Sequence, residues 1–225
     1  MVGHLVRRGG SVLAALAVVV GGAAMGTGVA GGAAGGGFGS TGVPCVGLTS
    51  PLCDGIFSDG ATAGNIGLSY WGPAEAEVDS EVAFTSRFLA RDAMPDLAVT
   101  SVTHHAPRGF EFVGAEVQSR RGAVYPDPDT YTELDATVVV DPVTGDVTVA
   151  APAGGWAIPR SQESSGSWRT GQVDVRLRYQ VTKSHLDGTS GVTFTGTGVP
   201  ASEGWLATGA TRVTPGIGGF NSSGN

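Results

Sequence analysis

Gly171–Thr182 reads GQVDVRLRYQVT. Within it, Val173, Val175, Leu177, Tyr179 and Val181 alternate with Asp174, Arg176, Arg178 and Gln180. A period of two places every apolar side chain on one face of a strand and every polar one on the other, whereas a helix would spread those five apolar residues around its circumference. An apolar sheet face needs cover. The chain has no helical periodicity to provide it, so the cover has to be a second sheet.

The same pattern recurs outward from this strand. Val82, Phe84, Ser86, Phe88 and Ala90 alternate with Ala83, Thr85, Arg87 and Leu89, and Leu68–Trp71 reads as an earlier strand. Leu97–Thr103 (LAVTSVT) is β-branched enough for another, and Phe110–Val117 follows the turn at Pro107-Arg108-Gly109. Val138–Val140 and Val147–Val149 flank Asp141–Asp146, where Pro142 presets φ for a type I turn and Gly145 suits the left-handed position that closes it. Tyr131–Val140 leads into that hairpin, and Val192–Thr197 and Trp205–Val213 supply the last strands. The sequence thus predicts an all-β, Greek-key β-sandwich of eight or nine strands, one domain over residues 67–215. An up-and-down barrel would want more even spacing and shorter turns.

The ends read differently. Arg7 and Arg8 precede an apolar run, Ser11–Val20, of secretory rather than membrane-spanning length, and Gly28-Val29-Ala30 fits cleavage after Ala30. Residues 1–30 are the expected signal peptide. The competing reading is an uncleaved anchor, which the glycines between Gly21 and Gly32 disfavour. Residues 31–66 are a Gly/Ala-rich spacer with a cysteine loop, and 216–225 a glycine-rich flexible tail. Cys45 and Cys53 are the only cysteines, and an even pair in an exported chain predicts a disulfide. Signal cleavage removes two arginines and no acidic residue, so the net charge falls from −7 to −9. A surface that acidic argues against nucleic acid and anionic lipid as partners, and cleavage leaves no membrane span.

Residues 82–117, VAFTSRFLARDAMPDLAVTSVTHHAPRGFEFVGAEV, resemble the immunoglobulin-like conserved-repeat domain of bacterial exported and cell-surface proteins. Arg91–Pro95, Val99–Thr103 and Pro107–Phe112 occupy the places of that family's turn, β-branched strand and second turn. Gly171–Thr182 resembles its late strand, and Ala151–Thr170 looks like an insertion into the pattern. The resemblance implies an immunoglobulin-like sandwich in a noncatalytic part of an exported protein.

Several constellations suggest chemistry. Ser101, His104, His105 and the many aspartates suggest a Ser/His/Asp site, but no nucleophile elbow accompanies them, and the pair of histidines reads as a solvated turn. Three dispersed histidines, with His185, do not make a zinc site. Asp127, Asp129, Glu133 and Asp135 offer oxygen ligands for calcium without the EF-hand spacing, and read as an exposed loop. No cofactor or metal is expected. Trp156 and Trp168 lie in the long Ala151–Thr170 loop, where they either cap the core or form a ligand surface. The leading expectation is an exported, noncatalytic interaction module of the cell envelope or extracellular space, with a protein or glycan partner. The alternatives are a small secreted carbohydrate-binding module or enzyme using the 151–170 loop, and an envelope channel subunit.

Overall fold

The computed structural model describes residues 55–91, 96–121, 130–186 and 188–215. The expected signal peptide, most of the expected spacer, both cysteines, Asp127, Asp129 and the expected tail at 216–225 lie outside the described residues. Among the described residues sixteen strands follow in chain order. The first six are β1 (Ile56–Ala63), β2 (Ile66–Pro73), β3 (Glu75–Glu77), β4 (Glu81–Ala90), β5 (Ala98–His105) and β6 (Phe110–Arg121). Short strands come next: β7 (Thr130–Glu133), β8 (Thr137–Val140), β9 (Val147–Ala150), β10 (Trp156–Ala157), β11 (Arg160–Gln162) and β12 (Trp168–Thr170). The chain closes with β13 (Gln172–Val181), β14 (Thr189–Gly196), β15 (Ala207–Ala210) and β16 (Arg212–Thr214).

Two six-stranded antiparallel sheets carry the domain. One runs β1-β2-β4-β13-β6-β7, and the other β15-β14-β5-β9-β8, with β10 added to β5. Within them β2-β4-β13-β6 and β15-β14-β5 reproduce, in chain order, the A-B-E-D and G-F-C sheets of an immunoglobulin fold. The fold is an immunoglobulin-like β-sandwich, and β7 to β12 are an insertion between its fourth and fifth strands. The expected eight or nine strands become sixteen: β3, β10, β11, β12 and β16 have only two or three residues each, β1 forms in the expected lead-in, and Tyr131–Val140 divides into β7 and β8. Strands that short are held by tertiary pairing and leave no periodicity to read.

β13 lies at the centre of the first sheet, paired with β4 on one side and β6 on the other. Val173, Val175, Leu177, Tyr179 and Val181 are all buried, as their alternation requires. Their neighbours are matched in size. Where β2 presents Tyr70, its partner on β4 is the small Ser86. Gly72 instead leaves room for Phe84, whose ring would collide with any Cβ there. Across the sandwich, Val99, Val102, Val147, Val149 and Phe194 complete a core that fills the space between the sheets.

Four contacts close the rim. Phe57 on β1 lies over Gly209 of β15, where a Cβ would strike its ring, and packs 5.3 Å from Tyr70. Beside it Asp59 Oδ2 accepts the Thr208 N–H at 2.8 Å. Residues 56–63, read from the sequence as lead-in, therefore form a paired strand; their few apolar side chains hid it. At the far edge Trp156 Nε1 donates to the Asp135 carbonyl at 2.9 Å. Finally β16 pairs in parallel with β3, burying Ala76, Val181 and Val213 in a small second cluster. The Asp141–Asp146 turn forms as expected, with Gly145 at φ 78° and Asp141 Oδ1 accepting the Val143 and Thr144 N–H groups.

Candidate ligand-binding groove

The outer face of the first sheet should be a solvated array of expendable charges. Its middle is not. Register aligns Trp71, Thr85, Arg176 and Glu116 in one row across β2, β4, β13 and β6, and Ser69, Arg87, Asp174 and Gln118 in the next. Directly opposed side chains in such rows stand about 5 Å apart, close enough to bond. Arg87 grips Asp174 with both arms of its guanidinium, Nε to Oδ1 at 2.9 Å and Nη2 to Oδ2 at 3.1 Å. Gln172 Nε2 donates to the same Oδ2 at 2.8 Å, and the Arg87 guanidinium lies 5.0 Å from the Trp71 ring centroid. Asp174 is only 6% exposed, unlike its strand neighbour Arg176. A carboxylate so removed from water needs a full set of partners, and here it has them.

A second ion-pair set borders the first. Arg178 Nη1 donates to Glu81 at 3.0 Å, and its Nε stands 3.5 Å from Glu116. Arg176 is exposed and, among the described residues, has no ion-pair partner. These rows line a groove of about 690 Å³, with Ile56 and Pro73 as its apolar flank.

The residues singled out from sequence fall elsewhere. Trp156 is 2% exposed and belongs to the core, while Trp168, on a different small strand, is 48% exposed and stacks 4.3 Å below the Arg160 guanidinium. The two rings do not meet in one surface. His104 is fully buried rather than on a solvated turn, because β5 continues through His105 and turns its odd member outward. Tyr179 O–H donates to His104 Nδ1 (2.7 Å), Nε2–H donates to the Tyr70 oxygen (2.9 Å), and Tyr70 O–H donates to Ser190 (2.6 Å). This chain of donors is complete only with a neutral imidazole. Burial pushes His104 down to about 3, with repulsion from His105 adding to it, and burial raises both tyrosines far above their ordinary range.

His105 pairs with Asp146 at 2.6 Å, and Ser101 bonds Thr195 rather than either histidine. The two nitrogens of His185 have no partner among the described residues, and its ring packs 5.8 Å from Phe110. Glu133 and Asp135 join no cluster of three metal-ligating side chains among the described residues. Sequence reading missed Trp71, Arg87 and Arg176 as a group. The available signals were a tryptophan in a first strand and a Gln-x-Asp pair on one face of β13.

A lipid-facing channel strand would turn its apolar side outward. Here the apolar sides face each other across a filled core, and the outer face carries the ion pairs. No helix among the described residues is long and apolar enough to cross a membrane.

No protein-family profile matches the chain, and no curated protein sequence does. Solved structures of similar shape include the C-terminal domain of the Streptococcus pyogenes antigen I/II-family protein AspA, at 11% identity and TM-score 0.41. That match covers 65% of this chain and 53% of the other, so the chain spans about half of that structure's length. BcpA, the major pilin subunit of Bacillus cereus, matches at 11% identity and TM-score 0.39, over 71% of this chain and 40% of its own. AvmM, which catalyses macrocyclization in alchivemycin A biosynthesis, matches at 13% identity and TM-score 0.31, over 72% and 90%.

Proposed function

We propose that this chain is an exported, noncatalytic immunoglobulin-like module of the cell envelope or extracellular space. It binds its partner through the outer face of the β2-β4-β13-β6 sheet. Residues 1–30 direct export, a Cys45–Cys53 disulfide closes the loop ahead of β1, and 216–225 form a tail beyond the fold. The observation that carries the binding surface is the Arg87–Asp174 pair, anchored by Gln172 and covered by Trp71 in the middle of an outer sheet face. Folding gains little from a charged pair placed there, whereas a ligand gains a preorganised surface. Asp174, Glu81 and Glu116 are each committed to an arginine, which suits positioning of a ligand better than proton transfer.

The test is retention of the secreted protein on immobilised glycans and extracellular proteins. A Trp71→Ala/Arg176→Glu double variant should keep its melting temperature and lose retention, while Trp168→Ala should keep both. Retention that survives the double variant would remove this face from consideration.

A further inference from the structure

Resting on the reading of this face as the ligand surface, the geometry points to a neutral saccharide as its occupant. Three observations converge on that chemistry. The first is the backbone. β2, β4 and β13, which floor the groove, are each paired on both sides. No unpaired ladder is offered to an extended peptide, so recognition falls to side chains.

The second is charge. Arg87 and Arg176 line the groove with Asp174, Glu81 and Glu116, and Arg178 at its border pairs with both glutamates. Counted together the charges balance, and Arg87 and Arg178 hold all three carboxylates, so a cationic ligand would have to break a pair and an anionic one would meet only Arg176. Donors and acceptors nonetheless alternate across the groove: the Arg176 guanidinium, the Thr85 hydroxyl, both ends of the Gln118 amide and the Glu116 carboxylate. A sugar hydroxyl donates and accepts at once, and adjacent hydroxyls match such planar, two-atom groups.

The third is shape. Register places Arg87 on one side of Trp71, and Pro73 with its partner Ile56 on the other. This gives an apolar wall beside a polar floor, as the C–H face and hydroxyl rim of a pyranose require. A volume of about 690 Å³ falls in the range of small-ligand sites and leaves room for a short oligosaccharide.

The experiment is an array of neutral and acidic oligosaccharides (uronate-containing, sialylated, sulfated) probed with the whole secreted chain, followed by titration calorimetry on the best binder. Neutral sugars should bind, with an affinity that changes less than about twofold between low and high salt, since no net charge is neutralised. Trp71→Ala should weaken binding at least about tenfold, as loss of a central aromatic contact does. The exposed Arg176→Gln should weaken it about threefold or more, and serves if Trp71→Ala proves unstable.

Binding of acidic sugars alone, steeply salt-dependent and lost in Arg176→Gln, would overturn the neutral-sugar inference and leave the groove standing. So would a protein ligand that Trp71→Ala abolishes while no sugar binds. Sugar binding that Trp168→Ala abolishes and the groove variants spare would overturn both readings.

Discussion

His104 makes the stability of this protein sensitive to mild acid in a calculable way. In the unfolded chain an imidazole takes its proton near pH 6.5, but in the folded protein burial holds His104 down to about 3. Between those values the unfolded state binds one more proton than the folded state, so acid favours unfolding. The contribution is absent above about pH 7 and grows by about 1.4 kcal/mol for each unit of descent. From pH 7.5 to 4.5 the loss is roughly 2.5 kcal/mol, or roughly 5–10 °C in melting temperature for a domain of this size.

The groups facing the ring are Tyr70 and Tyr179, which stay neutral throughout this range, and His105, which pairs with Asp146. The assay is urea unfolding of wild type and His104→Gln at both pH values. Carboxylate effects are common to the two proteins and cancel in the difference. The stability advantage of wild type over the variant should shrink by that roughly 2.5 kcal/mol at pH 4.5. Long-range ¹H–¹⁵N spectra at pH 5 should show a neutral ring with its proton on Nε2. Parallel pH curves for the two proteins would refute the argument, for they would mean that His104 titrates alike folded and unfolded.

Tyr179→Asp should unfold the domain, because it places a carboxylate without a cationic partner among core aromatics at a cost of several kcal/mol. Arg178→Ala, one residue away on the outer face, should cost about 1 kcal/mol or less by chemical denaturation. Trp156→Ala should lose about 3–5 kcal/mol, since the ring is core and its Nε1–H ties down Asp135. Trp168→Ala should lose about 1 kcal/mol at most, the worth of an exposed cation–π contact. Intact mass of secreted protein should place the mature N-terminus near Gly31 and rise by two protons on reduction of Cys45–Cys53; a retained Met1 or an unchanged mass would count against export processing or the bridge respectively.

What sequence reading captured was local. β4, β5, β13 and the β8–β9 hairpin each announce themselves by alternation or turn chemistry within a dozen residues. What it missed depends on partners far along the chain. His104 looked like a turn residue because its neighbours in sequence are His105 and Pro107, whereas its neighbours in space are Tyr70, Tyr179 and Ser190. Asp174 and Arg176 were indistinguishable as polar positions of one strand. Only the register with β4 gives the first a half-buried arginine and leaves the second open. The resemblance marks only Ala151–Thr170 as an insertion, whereas the inserted strands run from β7 to β12, and the two tryptophans go to different destinations, because Trp156 pairs with Val99 and Trp168 with Gln162 on a separate hairpin.

The buried network and the outer groove are two faces of one constraint. A strand that slips by one residue exchanges its faces, so every row of the groove depends on the register of β2, β4 and β13. Hydrophobic burial fixes which face of β13 points inward, but a slip by two residues would preserve that and still carry Arg176 to the place of Asp174. Directional bonds discriminate where apolar contacts cannot. Tyr70 on β2 and Tyr179 on β13 both reach His104 on the opposite sheet, which ties the two outer members of the β2-β4-β13 trio to one point across the core. The Arg87–Asp174 grip then ties the middle strand to β13 from the other side. With those four bonds made, Trp71, Thr85 and Arg176 have a single alignment left to them, and the groove is as well defined as the core beneath it.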